Sequence, residues 1–188
     1  MHEPIPISVA TLHVAKLRPE AAEQVHRIHY DCAADLQERF GVGHWGISPS
    51  LRQLQQLASV KSLFAVRMST QTIATFTLAL IPPSFFDVEM FHNPADPAAY
   101  LTGLAVVPGL QRQGIGGWCM EQVELIAMEW GCAALRFDVF DSPAGAAPFY
   151  HKLGYSPRGT MMFNRVPLIL FEKILQPHSE ASTSDLTL

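Results

Sequence analysis

The sequence predicts a mixed α/β (α+β) domain around one central sheet. Three observations carry this. Apolar residues recur at helical spacing in some stretches and as continuous strand-like runs in others. The two kinds interleave: a strand, two helices and a run of strands, then strand–helix–strand–helix–strand. The length, 188 residues, suits one domain. We place that domain at residues 1–175, with a polar, small-residue tail at 176–188.

Ile7 to Leu17 is apolar and β-branched and predicts a first strand. Pro19 suits a first helical turn. Ala21, Val25, Ile28, Cys32 and Leu36 then form one apolar helical face, which Gly41, Gly43 and Gly46 interrupt. Ser48-Pro49-Ser50 offers a cap for a second helix carrying Leu51, Leu54 and Leu57. Ser62 to Met68 and Thr72 to Ile81 predict a hairpin across Ser69-Thr70-Gln71, ended by Pro82-Pro83. Pro82 to Ala98 is proline-rich, aromatic and acidic, and predicts a long functional loop. Tyr100 to Val107 is a buried-type strand. Gly114 to Trp130 is a helix stopped by Gly131. Ala134 to Phe140 is a strand and Gly145 to Leu153 a short helix. Met161 to Leu175 holds strand-like runs in which Pro167 argues for an edge or a bulge.

Composition excludes several classes. Thirteen basic and seventeen acidic residues give a net charge of −4, which argues against nucleic-acid wrapping. No apolar run approaches the roughly 20 residues of a membrane span, and the N-terminus shows no signal-peptide pattern. Three cysteines without CxxC spacing suggest neither a disulfide framework nor a zinc site, so we expect a cytoplasmic protein without a metal. His26 and His29 lack a third ligand and read as surface or partly buried histidines.

The richest stretch is Leu104 to Gly117, where a buried strand ends at Pro108 and a helix opens on Gly114, Gly116 and Gly117. Helix N-termini carry unpaired N–H groups and about half a positive charge. Glycines let a phosphate approach that backbone, and Arg112 adds a cation, so the segment predicts a pyrophosphate site. A P-loop is excluded because no Lys-Ser or Lys-Thr follows. A dinucleotide fingerprint is incomplete because Cys119 stands at its third glycine.

Gln111-Arg112-Gln113-Gly114-Ile115-Gly116, following Leu104-Ala105-Val106, resembles the Gln/Arg-x-x-Gly-x-Gly/Ala signature of the GNAT superfamily of N-acyltransferases. Phe149-Tyr150-His151-Lys152-Leu153-Gly154-Tyr155 resembles a second block of that family, at matching spacing. The resemblance covers about residues 100–160. It implies a mostly antiparallel sheet of about six to seven strands flanked by about four helices. It implies acetyl-CoA as co-substrate, with the backbone of Leu104, Ala105 and Val106 on the pantetheine arm. Gln111, Arg112, Gln113, Gly114, Ile115, Gly116 and Gly117 then surround the pyrophosphate. Tyr150 becomes the general acid for the departing thiolate, and Tyr155 reads as core. An asparagine common before the family's last helix is missing from Asp141-Ser142-Pro143-Ala144-Gly145, where Ser142 is the polar substitute.

The acceptor amine must lose a proton, so a base is needed. Asp87 and Glu89 in the long loop are the foremost candidates, with His92, Asp138 and Asp141 beside them. His44 and Trp45 are candidates for the acceptor side. From Met68 through Gln111 there is no Lys or Arg, while Asp87, Glu89 and Asp96 fall inside that window. An acidic, aromatic rim of this kind favours a cationic acceptor by steering and cation–π contact. The expected function is acetyl transfer to a primary amine of a small molecule, amino acid or peptide, with a homodimer left open. A non-catalytic acyl-CoA-binding module and a dinucleotide-binding oxidoreductase are the alternatives.

Overall fold

The computed structural model describes residues 9–41, 49–143 and 145–176. The first strand is shorter than its apolar run: β1 is Leu12–Lys16, preceded by a 3-10 turn at Val9–Thr11. Pro19 opens a second 3-10 turn, Pro19–Ala21, that leads into α1, Ala22–Phe40. Gly41 ends α1, its N–H bonding Gln37 O at 2.9 Å. Gly43, Gly46, Ser48, His44 and Trp45 lie outside the described residues. Ser50 caps α2, Leu51–Val60, in a reciprocal box: its Oγ accepts from Gln53 N while Gln53 Oε1 accepts from Ser50 N.

β2 (Ser62–Met68) and β3 (Gln71–Ala79) form the expected hairpin, with Ser69 at φ 56 in the turn and Gln71 already in β3. β4 (Ala98–Val106), α3 (Ile115–Glu129) and β5 (Ala134–Phe140) make a strand–helix–strand unit. α4 is Ala147–Lys152, and β6 (Ser156–Phe163) and β7 (Val166–Ile174) close the chain as a hairpin. β6 starts earlier than the apolar run suggested because it is an edge strand with mostly exposed side chains.

The seven strands lie in the order β1-β2-β3-β4-β5-β7-β6, antiparallel throughout except for β4 beside β5. Pro167 sits in β7, an inner strand rather than an edge. It is tolerated because it lies just past the end of β5. Asp141 N–H bonds Pro167 O at 2.9 Å, and the donor that proline lacks would face the same spot, where pairing stops.

α3 and α4 cover one sheet face, over Ala99, Leu101, Leu135, Phe137 and Phe171. α1 and α2 cover the other, over Leu63, Ala65 and Ala105. The loop between β3 and β4 shares that second face. Its Phe86 and Phe91 are buried on Ala98, Tyr100, Ala134 and Leu170, so they form a small core and not an open aromatic rim.

A buried ion network pins this loop. Arg136 Nε donates to Glu172 Oε1 at 2.8 Å, and Arg158 Nε to Glu172 Oε2 at 2.7 Å. His92 N–H reaches Glu172 Oε2 at 3.0 Å, and Arg136 Nη2 reaches Asn93 O at 2.6 Å. The Phe91 ring lies 4.7 Å from the Arg136 guanidinium, so the cation–π partner of this loop is internal.

Candidate functional site

β4 and β5 pair in parallel only at Ala98–Ala134, Ala99–Leu135 and Tyr100–Arg136, although both strands continue beyond. The separation begins beside a β-bulge. Thr77 faces Thr102 and Thr75 faces Ala105, so Gly103 and Leu104 together oppose Phe76. Gly103 takes φ +64, a conformation costly for any other residue type. The extra residue reverses the side-chain alternation. Ala99 and Leu101 lie on the α3 face before it, and Leu104 and Val106 pack there after it, while Ala105 turns under α1.

Beyond the bulge, Val107 N–H bonds Ile73 O on β3 at 2.9 Å. Alternation therefore aims the neighbouring N–H of Val106 the other way, into the gap. Val106 O, on that same side, accepts from Gln111 Nε2 at 3.0 Å and from Cys32 Sγ at 3.2 Å. Gln111 thus folds the turn after β4 back onto the strand end.

That turn delivers the chain to α3. Gly114 caps the helix at φ +84, and a Cβ there or at Gly117 would meet nothing within 4 Å. The first N–H groups of a 15-residue helix consequently open on free space beside Arg112. This is a cradle of bare backbone N–H groups at a helix N-terminus, the kind of surface to which phosphates bind.

The gap and cradle form one cavity of about 950 Å³. Leu104, Ala105, Val106, Gln111, Arg112, Gly114, Gly116, Gly117 and Tyr150 line it. Gln113, Ile115 and Ser142 are not among the lining residues. Gln113 Nε2 turns to Gly109 O, Ile115 is 1% exposed in the core, and Ser142 belongs to the turn after β5. Tyr150 is buried against Phe137 at 4.5 Å and Phe149 at 4.9 Å between ring centres. Burial, with the nearby Asp138 carboxylate and Cys119 adding to it, raises its phenol well above the ordinary value.

The foremost base candidates lie elsewhere. Asp87 and Glu89 are exposed on the loop and do not line the cavity, and Asp87 Oδ1 accepts from Glu89 N at 3.2 Å in a local turn. Neither His92 nor Asp141 lines it. Asp138 does, and it is the only lining carboxylate among the described residues. It stands opposite Leu170 on the face that the loop and α1 share, past the last β4–β5 pair. Burial pushes its carboxyl up to about 6, toward the range where a carboxylate serves as a base near neutral pH.

Sequence reasoning missed the contribution of α1. His29, Cys32, Leu36, Arg39 and Phe40 follow one another at helical spacing along the cavity wall. The signal was an apolar stripe continuing past Cys32 with no strand left to cover it. Burial pushes the Cys32 thiol up to about 12, with Asp35 and Asp31 adding to it, so it is a hydrogen-bond donor and not a nucleophile. His29 is buried, and burial pushes its imidazole down to about 4. Among the described residues no cluster of His, Cys, Asp and Glu could hold a metal, and no helix is long and apolar enough to cross a membrane.

Comparison with solved structures places this architecture. The ribosomal-protein-S18-alanine N-acetyltransferase from Escherichia coli superposes at a TM-score of 0.64, with 18% identity over 91% of this chain and 98% of that one. A GNAT-family acetyltransferase from Listeria monocytogenes gives 0.70, at 15% identity over 87% and 95%. The protein yncA from Salmonella typhimurium, solved with its cofactor acetyl-CoA, gives 0.62, at 12% identity over 92% and 99%. The search of curated proteins found no match. The family model for the acetyltransferase (GNAT) family matches residues 25–155, which include the gap, the cradle and Tyr150, and the chain belongs to that family.

Proposed function

We propose that the protein transfers the acetyl group of acetyl-CoA to a primary amine of a small molecule, amino acid or peptide. The observation that carries this is the β4–β5 gap, in which the Val106 N–H faces an opening that runs from the α3 N-terminus to Tyr150. The backbone of Leu104 to Val106 offers a strand edge to the pantetheine arm, as an unpaired edge does to an added strand. The α3 N-terminus and Arg112 hold the pyrophosphate. Asp138 accepts the proton of the incoming amine, which allows nitrogen to attack the thioester carbon. Val106 N–H donates to the oxygen on which negative charge develops. Tyr150 donates its proton as the C–S bond breaks, so the thiol leaves neutral. The mostly antiparallel sheet, with one parallel pair, favours this reading over a dinucleotide oxidoreductase, whose sheet is parallel. The buried free cysteines fit a reducing, cytoplasmic setting.

Thiol release from acetyl-CoA across a panel of small amines, amino acids and peptides tests the function. Release with none of them, alongside a rise in Tm with acetyl-CoA, would leave a binding module. Tyr150→Phe is expected to lower kcat by about 10²-fold while KM for acetyl-CoA stays near wild type. An unchanged kcat removes Tyr150 from the acid role. Gly114→Asp is expected to abolish the acetyl-CoA-induced rise in Tm, since it adds an anion to the cradle and strains φ +84. Gly114→Ala carries the strain alone, so an equal loss in both variants would remove the electrostatic part of the argument.

A further inference from the structure

We propose that His29 is a positioning residue that holds the Gly103 bulge in the register required to present Val106 to the thioester. This rests on the acetyl-transfer reading for its catalytic consequence, but the contact itself is structural. The His29 ring N–H donates to the Gly103 backbone. The ring also fills the space at Gly103, where a Cβ would lie 3.0 Å from His29 Cε1. His29 is 6% exposed and its ring lines the cavity, so a histidine at this point of α1 is neither a surface residue nor ordinary core.

The reason it matters is alternation. A bulge is one extra residue, and losing it would turn every later side chain of β4 to the opposite face. Leu104 and Val106 would then leave the α3 face, and Ala105 would leave its place against Ile28 and Cys32. The N–H of Val106 would rotate with them toward β3. A neutral imidazole with one fixed donor suits this holding role, and burial keeps His29 neutral across the working pH range. Cys32, one helical turn on, bonds Val106 O at 3.2 Å, so α1 grips both ends of the bulged segment.

The test compares His29→Leu with His29→Gln in the full chain, read by amide hydrogen exchange over Thr102–Val107 and by steady-state kinetics. In His29→Leu we expect exchange over Leu104–Val106 to accelerate at least about tenfold. We also expect kcat to fall about tenfold and KM for acetyl-CoA to rise, since the loosened Leu104–Val106 edge also holds the pantetheine arm. His29→Gln, which keeps an N–H donor, should restore most of both. Unchanged exchange in the Leu variant overturns the proposal whatever the activity. Equal losses in Leu and Gln variants overturn it too, since packing and not the hydrogen bond would then be at work. Faster exchange with unchanged kcat overturns its catalytic part. If His29→Leu does not fold, Gly103→Ala strains the same contact from the other side and gives the same exchange readout. The acetyl-transfer reading fails separately, on the wild-type chain releasing no thiol with any amine.

Discussion

Asp138→Asn is expected to lower kcat/KM by about 10²–10⁴-fold and, at the same time, to raise the melting temperature. The activity loss follows from removing the only carboxylate that lines the cavity among the described residues. In the wild type, the acid limb of kcat/KM should fall near pH 6, where Asp138 titrates, and the Asn variant should lose that limb. The stability gain has the same physical origin. Asp138 titrates at about 6 in the folded protein against 3.8 as its ordinary value, so folding favours its protonated form. That favourable share is complete below about pH 4 and is lost as pH rises through 6. Above pH 6 the folded protein holds an ionised, partly desolvated carboxylate, which Asn avoids. The gain at pH 7.5 is about 1–3 kcal/mol by linkage. Steady-state kinetics and thermal melts at pH 5 and 7.5 check both halves. A variant with wild-type kcat/KM would return the search for a base to the loops.

Glu172→Ala is expected to destabilise the fold by about 3–5 kcal/mol, because it strands Arg136. The side chains of Arg136 and Glu172 are both 0% exposed, and among the described residues no other carboxylate is bonded to Arg136. The buried guanidinium is then left without a countercharge. Arg158→Ala provides the control. Its side chain is 25% exposed, so its pairing with Glu172 is screened and its loss should cost about 1 kcal/mol or less. Urea denaturation of the two variants compares them directly. If Glu172→Ala costs no more than Arg158→Ala, the network is not the pin of the loop.

The parts of the site that could be read early are contiguous in the chain. Leu104 to Gly117 is one strand end, one turn and one helix N-terminus, and its chemistry depends on backbone groups that glycines expose. Tyr150 follows on a short helix at a fixed distance. The proposed base, Asp138, could not be singled out from the other candidates because carboxylates in loops and at strand ends look alike in sequence. Asp87 and Asp138 differ in burial, which arises only when β7 pairs with β5 and the long loop closes over the same face. The Arg136–Glu172 pair was hidden for a similar reason. Its members are 36 residues apart, and nothing local links them.

The cation-free window also changed meaning. The window marks two inner strands and a loop whose Phe86 and Phe91 are buried, and its lack of cations reflects packing more than the attraction of a cationic acceptor. By itself the sequence determined the order of strands and helices, and where a helix N-terminus with bare glycines could meet an anion. Those outcomes rest on local spacing and backbone freedom. Only the tertiary structure decided that β4 and β5 part after three pairs, that α1 contributes His29 and Cys32 to the wall, and which carboxylate faces the gap. Burial and strand register depend on partners distant in sequence, and those partners set the pKa of Asp138 and the direction of the Val106 N–H.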